Sequence, residues 1–246
     1  MKDRSAFNFG LILFSLCTVV TPALGQSETE VVRNVFQDFG ASGLHEGIPY
    51  YALNQEEGEG AEATDGIYLG DTWMDAVVWT NNDEKYKVPA RLDVRFDQIQ
   101  IKANGVVRAL LPAKIKLVAW ENRVLVPMSY EQKKGGLGNG LFELKAQGDV
   151  HLFVRYSVVS RQAENHPVLG NTSGKMIQEI KATPYYQYSG KALKKLKRNR
   201  AGVLEVLGRR RKQVNEYARE QELGWHSIED LTQLFNFYNR KDGLGD

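Results

Sequence analysis

The run Lys87-Val88-Pro89-Ala90-Arg91-Leu92-Asp93-Val94-Arg95-Phe96 decides the fold class. Val88, Ala90, Leu92, Val94 and Phe96 recur at every second position, with Lys87, Arg91, Asp93 and Arg95 between them. A period of two sends alternate side chains to opposite faces, the pattern of a half-buried strand. Arg91 and Arg95 alternate with Asp93 and Asp97, which predicts a solvent-exposed, charge-balanced outer face. Ile99 and Ile101 extend the same strand past a shift at Asp97-Gln98.

Outward from that run, short apolar segments recur with turn signals between them. Residues 73–80 carry Val77, Val78 and Trp79, and residues 106–111, 115–120 and 124–128 are three more such runs. Asn104-Gly105 is a tight-turn pair, because both central positions of that turn need positive φ. Residues 131–140 read as a Gly-rich charged loop. Strands at 141–146 and 150–159 follow, joined at Gln147-Gly148-Asp149. Residues 161–175 read as a polar loop, and residues 176–181 and 184–188 as two further strands. No stretch between these strands is long enough for a parallel crossover helix, so the pairing is antiparallel, in a roll or a sandwich.

Past Leu193 the period lengthens to that of a helix. Val203, Leu204, Val206 and Leu207 form one short helix ended by Gly208, and residues 209–221 a second with Val214, Tyr217 and Ala218 on one side. In the third, Ser227 caps the start with Asp230 three residues on. Ile228, Leu231, Leu234, Phe235 and Tyr238 then line one stripe. The fold class is therefore α+β: an antiparallel β domain over 67–190, then a helical unit over 191–246.

The N-terminal part reads differently. Residues 1–25 have the layout of a secretory signal: Lys2 and Arg4, an apolar run over 11–20, and Ala23-Leu24-Gly25 at the cleavage site. Cys17, the only cysteine, lies inside that run, so the exported chain has no disulfide and no cysteine nucleophile. Residues 26–66 are a lead-in, with a short helix over 30–39 and an acidic, Gly-rich linker at 55–62. No later segment reaches membrane-spanning length, which leaves at most a peripheral contact with a membrane.

Charge is unevenly placed. Residues 26–185 carry 17 basic and 21 acidic side chains, and residues 186–246 carry 13 and 8. The basic excess sits in two clusters: Lys191, Lys194, Lys195, Lys197, Arg198 and Arg200, then Arg209, Arg210, Arg211 and Lys212. Like charges at that density are tolerated only when solvated or matched, so they form a solvated face or a docking surface for an anion. For an exported chain the anion is an acidic envelope protein, lipid or glycan, and export demotes nucleic acid.

Catalytic spacing is absent. His45, His151, His166 and His226 form no His-x-His or HExxH pattern, and no G-x-S-x-G occurs. Gly135, Gly136, Gly138 and Gly140 precede a strand, whereas a phosphate loop opens a helix. Asn171-Thr172-Ser173 matches a glycosylation sequon. Asp93 and Asp97 are the nearest approach to paired carboxylates for glycoside chemistry. Tyr185, Tyr186 and Tyr188 offer an aromatic binding face, because one of two adjacent strand residues must point outward. No metal or cofactor is indicated.

Three segments carry a resemblance over residues 67–240: Tyr68-Leu69-Gly70-Asp71-Thr72-Trp73; Phe142-Glu143-Leu144 to Gly148-Asp149-Val150-His151-Leu152; and Tyr185-Tyr186 with Ser227-Ile228-Glu229-Asp230-Leu231 to Phe237-Tyr238-Asn239. The chain resembles an uncharacterised family of secreted proteins of Gram-negative envelopes. The resemblance implies an exported β domain with a helical extension, periplasmic or extracellular, and no enzymatic activity. The leading expectation is a non-catalytic envelope protein that binds a partner or an anionic surface through its basic helices. The rival is a carbohydrate-active enzyme or sugar-binding module.

Overall fold

The structure, a computed structural model, describes residues 48, 50–52, 67–70, 73–103, 105–120, 122–162, 176–188 and 191–240. The expected signal segment, lead-in helix, acidic linker and sequon lie outside these residues. Eleven strands are described: β1 (Tyr50–Ala52), β2 (Met74–Thr80), β3 (Lys85–Asp93), β4 (Gln98–Ala103), β5 (Val106–Leu110), β6 (Ile115–Trp120), β7 (Arg123–Glu131), β8 (Leu137–Ala146), β9 (Val150–Gln162), β10 (Met176–Tyr188) and β11 (Lys194–Lys195). They form one sheet in the order β1-β5-β4-β3-β2-β6-β7-β8-β9-β10-β11. Neighbouring strands are antiparallel throughout that order. Two meanders, β2 to β5 and β6 to β11, run outward in opposite directions from the β2–β6 pair. Three helices follow: α1 (Arg200–Val206), α2 (Arg211–Glu220) and α3 (Ile228–Asn239).

The sheet is strongly bent. The turn after β3 and strand β9 are five strand spacings apart, about 24 Å on a flat sheet. Yet Arg155 on β9 pairs with Asp97 of that turn at 2.7 Å, and Arg95 donates to Gln178 of β10 at 2.7 Å. Tyr156, Val158 and Ile180 accordingly pack on the core of β2 to β6, where Val78, Leu92, Ile101, Val118 and Trp120 are buried.

The second meander also closes on itself. The Leu193 amide donates to Ser129 O at 3.3 Å, and the Glu131 amide donates to Leu193 O at 2.9 Å. The next residues, Lys194 and Lys195, pair with Tyr186 and Tyr185 of β10. β7, β8, β9, β10 and this segment thus form a ring of hydrogen-bonded chain. Inside it Tyr130, Phe142 and Tyr185 meet edge to face, with ring centroids 5.1–5.7 Å apart.

The helices cover the opposite side of β8 to β10. Val203, Val214, Leu231, Leu234 and Phe235 pack on Ala146, Val150 and Leu152. A register shift between Leu144 and Ala146 makes this contact available, because it turns Ala146 from the aromatic side toward the helices. Caps define the helix starts. Asn199 accepts from the Gly202 amide at 2.8 Å, and Ser227 Oγ from the Asp230 amide at 3.0 Å. Asp230 does not complete a reciprocal box; its carboxylate accepts from the Gly224 amide instead.

Four local expectations change. The strand read through Phe96 ends at Asp93, and residues 94–97 turn it back into β4. The Asp93 carboxylate accepts the Arg95 and Phe96 amides, and Asp97 takes φ 52°, a left-handed value that Asp tolerates. Phe96, aligned with the core pattern, is 61% exposed. The Gly-rich loop shrinks to residues 132–136, because Leu137 already pairs with Glu131. The two predicted strands at 176–181 and 184–188 are one, β10, with Pro184 inside it. The sheet also reaches beyond 67–190, to β1 and β11.

A buried polar contact also joins sheet and helices. The buried Asn239 side chain donates to Val150 O at 2.9 Å and accepts from the Val150 amide at 3.2 Å, as a strand neighbour would. Gly148 is required beneath it, since a Cβ there would fall 2.3 Å from Asn239 Cγ. Asn239→Ala strands both backbone groups of Val150 away from water, so urea unfolding should show a loss of about 2–4 kcal/mol.

Candidate functional site

The basic residues converge where β11 parts from β10. Leu196 makes the last contact, its amide donating to Pro184 O at 2.9 Å, and the chain then leaves for the Asn199 cap of α1. Pro184, which has no N–H, suits this last paired position. Around the fork, Lys181, Lys195, Lys197 and Arg198 line a groove of about 390 Å³ with Ala182, Thr183, Pro184 and Leu196. All four cations are exposed, and among the described residues no carboxylate lines the groove. Lys181 lies outside the two sequence clusters. The signal for it is register: Tyr185 pairs with Lys195, and Lys181 sits four residues from Tyr185 on the same strand face.

The other predicted cations separate. Lys194 pairs with Glu131 at 3.1 Å, and the hydrogen bond and charge of that carboxylate raise the lysine pKa. Arg198 also donates to His226 O at 3.3 Å. Arg200 donates to Asn215 at 2.8 Å and shares a second groove, of about 490 Å³, with Arg211, Lys212 and Glu205. Arg209 lies in a third groove beside Asp149 and Glu205. Arg210 is committed internally, donating to Tyr238 O at 3.0 Å and Arg240 O at 2.7 Å at the end of α3.

The three tyrosines do not share a face. Tyr185 is buried against Phe142 and Tyr130, and burial pushes its hydroxyl pKa up, with Arg155 opposing. Tyr186, on the opposite side, packs on the helical core. Tyr188 is 37% exposed, and its hydroxyl donates to Val206 O at 2.7 Å.

The buried carboxylates are engaged structurally. Asp93 is buried, not on the open charge-balanced face expected; it accepts two turn amides and Gln100 Nε2. Burial raises its pKa, against those amides. Arg91 is stacked between Tyr68 and Trp73, 3.7 and 4.2 Å from the ring centroids. Asp97 holds Arg155 over Gly140, where a Cβ would lie 2.9 Å from Arg155 Nε. Burial works to lower the Arg155 pKa, but the bond and charge of Asp97 outweigh it and the net shift is upward. Fully buried Glu143, which sequence reasoning passed over, accepts from Lys145 at 2.7 Å and from the Tyr156 hydroxyl, with Arg123 at 3.8 Å. Among the described residues no group of three or more His, Cys, Asp or Glu could hold a metal ion. No described helix is long and apolar enough to cross a membrane.

No protein-family model, curated protein or solved structure matches this chain.

His151 has a structural place at the β8–β9 turn. Its Nδ1 accepts from the Gly148 amide at 3.3 Å, which requires that nitrogen to be unprotonated. Burial lowers its pKa below the ordinary 6.5, with Asp149 opposing. Between the lowered value and 6.5 the unfolded chain binds more protons than the folded one, so stability is lost as pH falls through that window. Urea midpoints measured from pH 7.5 down to 5 should decline, and His151→Asn should flatten this part of the profile.

Proposed function

We propose that this chain is an exported, non-catalytic protein of the cell envelope that binds an anionic partner through its C-terminal basic surface. The observation that carries the reading is the groove at the β10–β11 fork. Four exposed cations from two separate stretches meet there, with no lining carboxylate among the described residues. Holding them together raises their mutual repulsion, and a bound anion would relieve it. Arg200, Arg211 and Lys212 extend positive charge along the helices, diluted by Glu205. The secretory layout of residues 1–25 and the resemblance to envelope proteins support export. The bend that lays Tyr156, Val158 and Ile180 on the first core supports reading the sheet as a roll.

The sugar-directed alternative has less behind it. Asp93 and Asp97 are held by separate structural partners, and Tyr185 is part of the core.

The test is salt-dependent retention on an immobilised polyanion, heparin, with two variants of equal charge. In one, Lys181, Lys195, Lys197 and Arg198 become Gln; in the other, Lys102, Lys114, Lys133 and Lys134 do. Each Lys or Arg near an anionic surface contributes on the order of 1 kcal/mol, so the groove variant should bind at least about tenfold more weakly than wild type. The control should retain most of the affinity. Equal losses in both would reduce the effect to net charge and remove the reading.

A further inference from the structure

β10 is thirteen residues long, and β11 covers only a fraction of its outer edge. The final bond of that pairing ends on Pro184 O, so residue 184 turns its backbone groups outward, toward β11. Backbone groups alternate sides along a strand. Ala182, Ile180, Gln178 and Met176 therefore aim their N–H and C=O groups at the same outer edge. Among the described residues no strand pairs with that edge beyond Pro184. Met176 and Ile177 at its far end are 58% and 37% exposed. The open edge begins at the cationic groove, where Lys181 and Lys195 lie on one face of the sheet and Lys197 and Arg198 border the fork.

We propose that this edge takes an extended acidic peptide segment of a partner protein as an added strand, laid against residues 176–182. The proposal rests on the anion-binding reading above and names its ligand. Main-chain bonds to the outward groups of β10 supply pairing, and the four cations select for carboxylates. Alternating side chains on the added strand place every second residue on the face that carries Lys181 and Lys195. The matching sequence is thus an alternation of acidic and β-branched residues. A lipid surface offers negative charge but no strand, so it cannot satisfy the edge.

The test uses the full mature chain and a capped decapeptide of alternating Glu and Val. A second copy is N-methylated at alternate residues, so that it cannot pair, and a third has Lys for Glu. Vesicles with anionic headgroups run in parallel. Expected are saturable binding of the first peptide, about tenfold weaker at 0.5 M than at 0.05 M salt, and slowed amide exchange at Gln178, Ile180 and Ala182. The N-methylated and Lys peptides should bind at least about tenfold more weakly. The groove variant should lose the peptide while its unfolding midpoint stays within error of wild type. Equal binding of the N-methylated peptide, or no protection at the β10 amides, would overturn strand addition and leave the basic groove as an anion site alone. Binding to vesicles without binding to the peptide would overturn it in favour of a membrane surface. Failure to bind peptide, vesicle or heparin would sink both readings.

Discussion

The structure depends on one constraint, that β9 and β10 are covered on both faces over their paired halves. Leu152 and Tyr186 face the helices, while their neighbours Phe153 and Tyr185 face the aromatic ring core. Further along, Tyr156, Val158 and Ile180 reach the core of the first meander. All three hydrophobic clusters thus draw on one hairpin. A shift of one residue in its register would exchange every one of these partners. The continuous pairing from Met176↔Gln162 to Tyr188↔Val150 excludes that shift. The three helices are anchored to this hairpin by apolar burial and by the Asn239–Val150 contact.

Where local chemistry speaks for itself, the fold was legible. The three C-terminal helices follow from a 3.6-residue apolar period, and Ser227 caps the third as its position predicts. The antiparallel meanders follow from short strands and turn pairs. The misreadings share a cause: a feature whose meaning comes from a residue distant in sequence. The pattern through Val94 and Phe96 looks like a continuing strand until the Asp93 carboxylate is seen to bind the amides that follow it. Gly138 and Gly140 look like loop until the Arg155–Asp97 pair occupies the space a Cβ would take at 140. Pro184 looks like a strand break until its position facing the edge shows that no amide is needed there.

The candidate site was half legible for the same reason. Clusters of Lys and Arg are visible in any sequence, but which of them share a surface depends on backbone geometry. Arg210 is spent on the end of α3, and Lys194 is matched by Glu131. Lys181, from a different strand, joins Lys195, Lys197 and Arg198. The three tyrosines divide between two sides of β10, Tyr185 buried in the aromatic core and Tyr186 half-buried against the helices, a condition that adjacency alone does not reveal.

The arrangement of charge at the β10–β11 fork follows from the fold's own needs. A sheet edge next to a ring closure must be kept from pairing with copies of itself, and lysines on an edge do so by repulsion. The same lysines favour a strand that carries the opposite charge. On the proposed reading, protection against self-association and selection of an acidic partner are one electrostatic device, since the repulsion between two identical edges becomes attraction when one partner is acidic. What separates the two roles is placement. Lys197 and Arg198 lie past the last paired residue, beside the path an added strand would take from Pro184. Protection of the edge needs only Lys181 on β10 itself. The gathering of three more cations at the point where pairing stops goes beyond that need, and it is the feature on which the proposed acidic-strand partner rests.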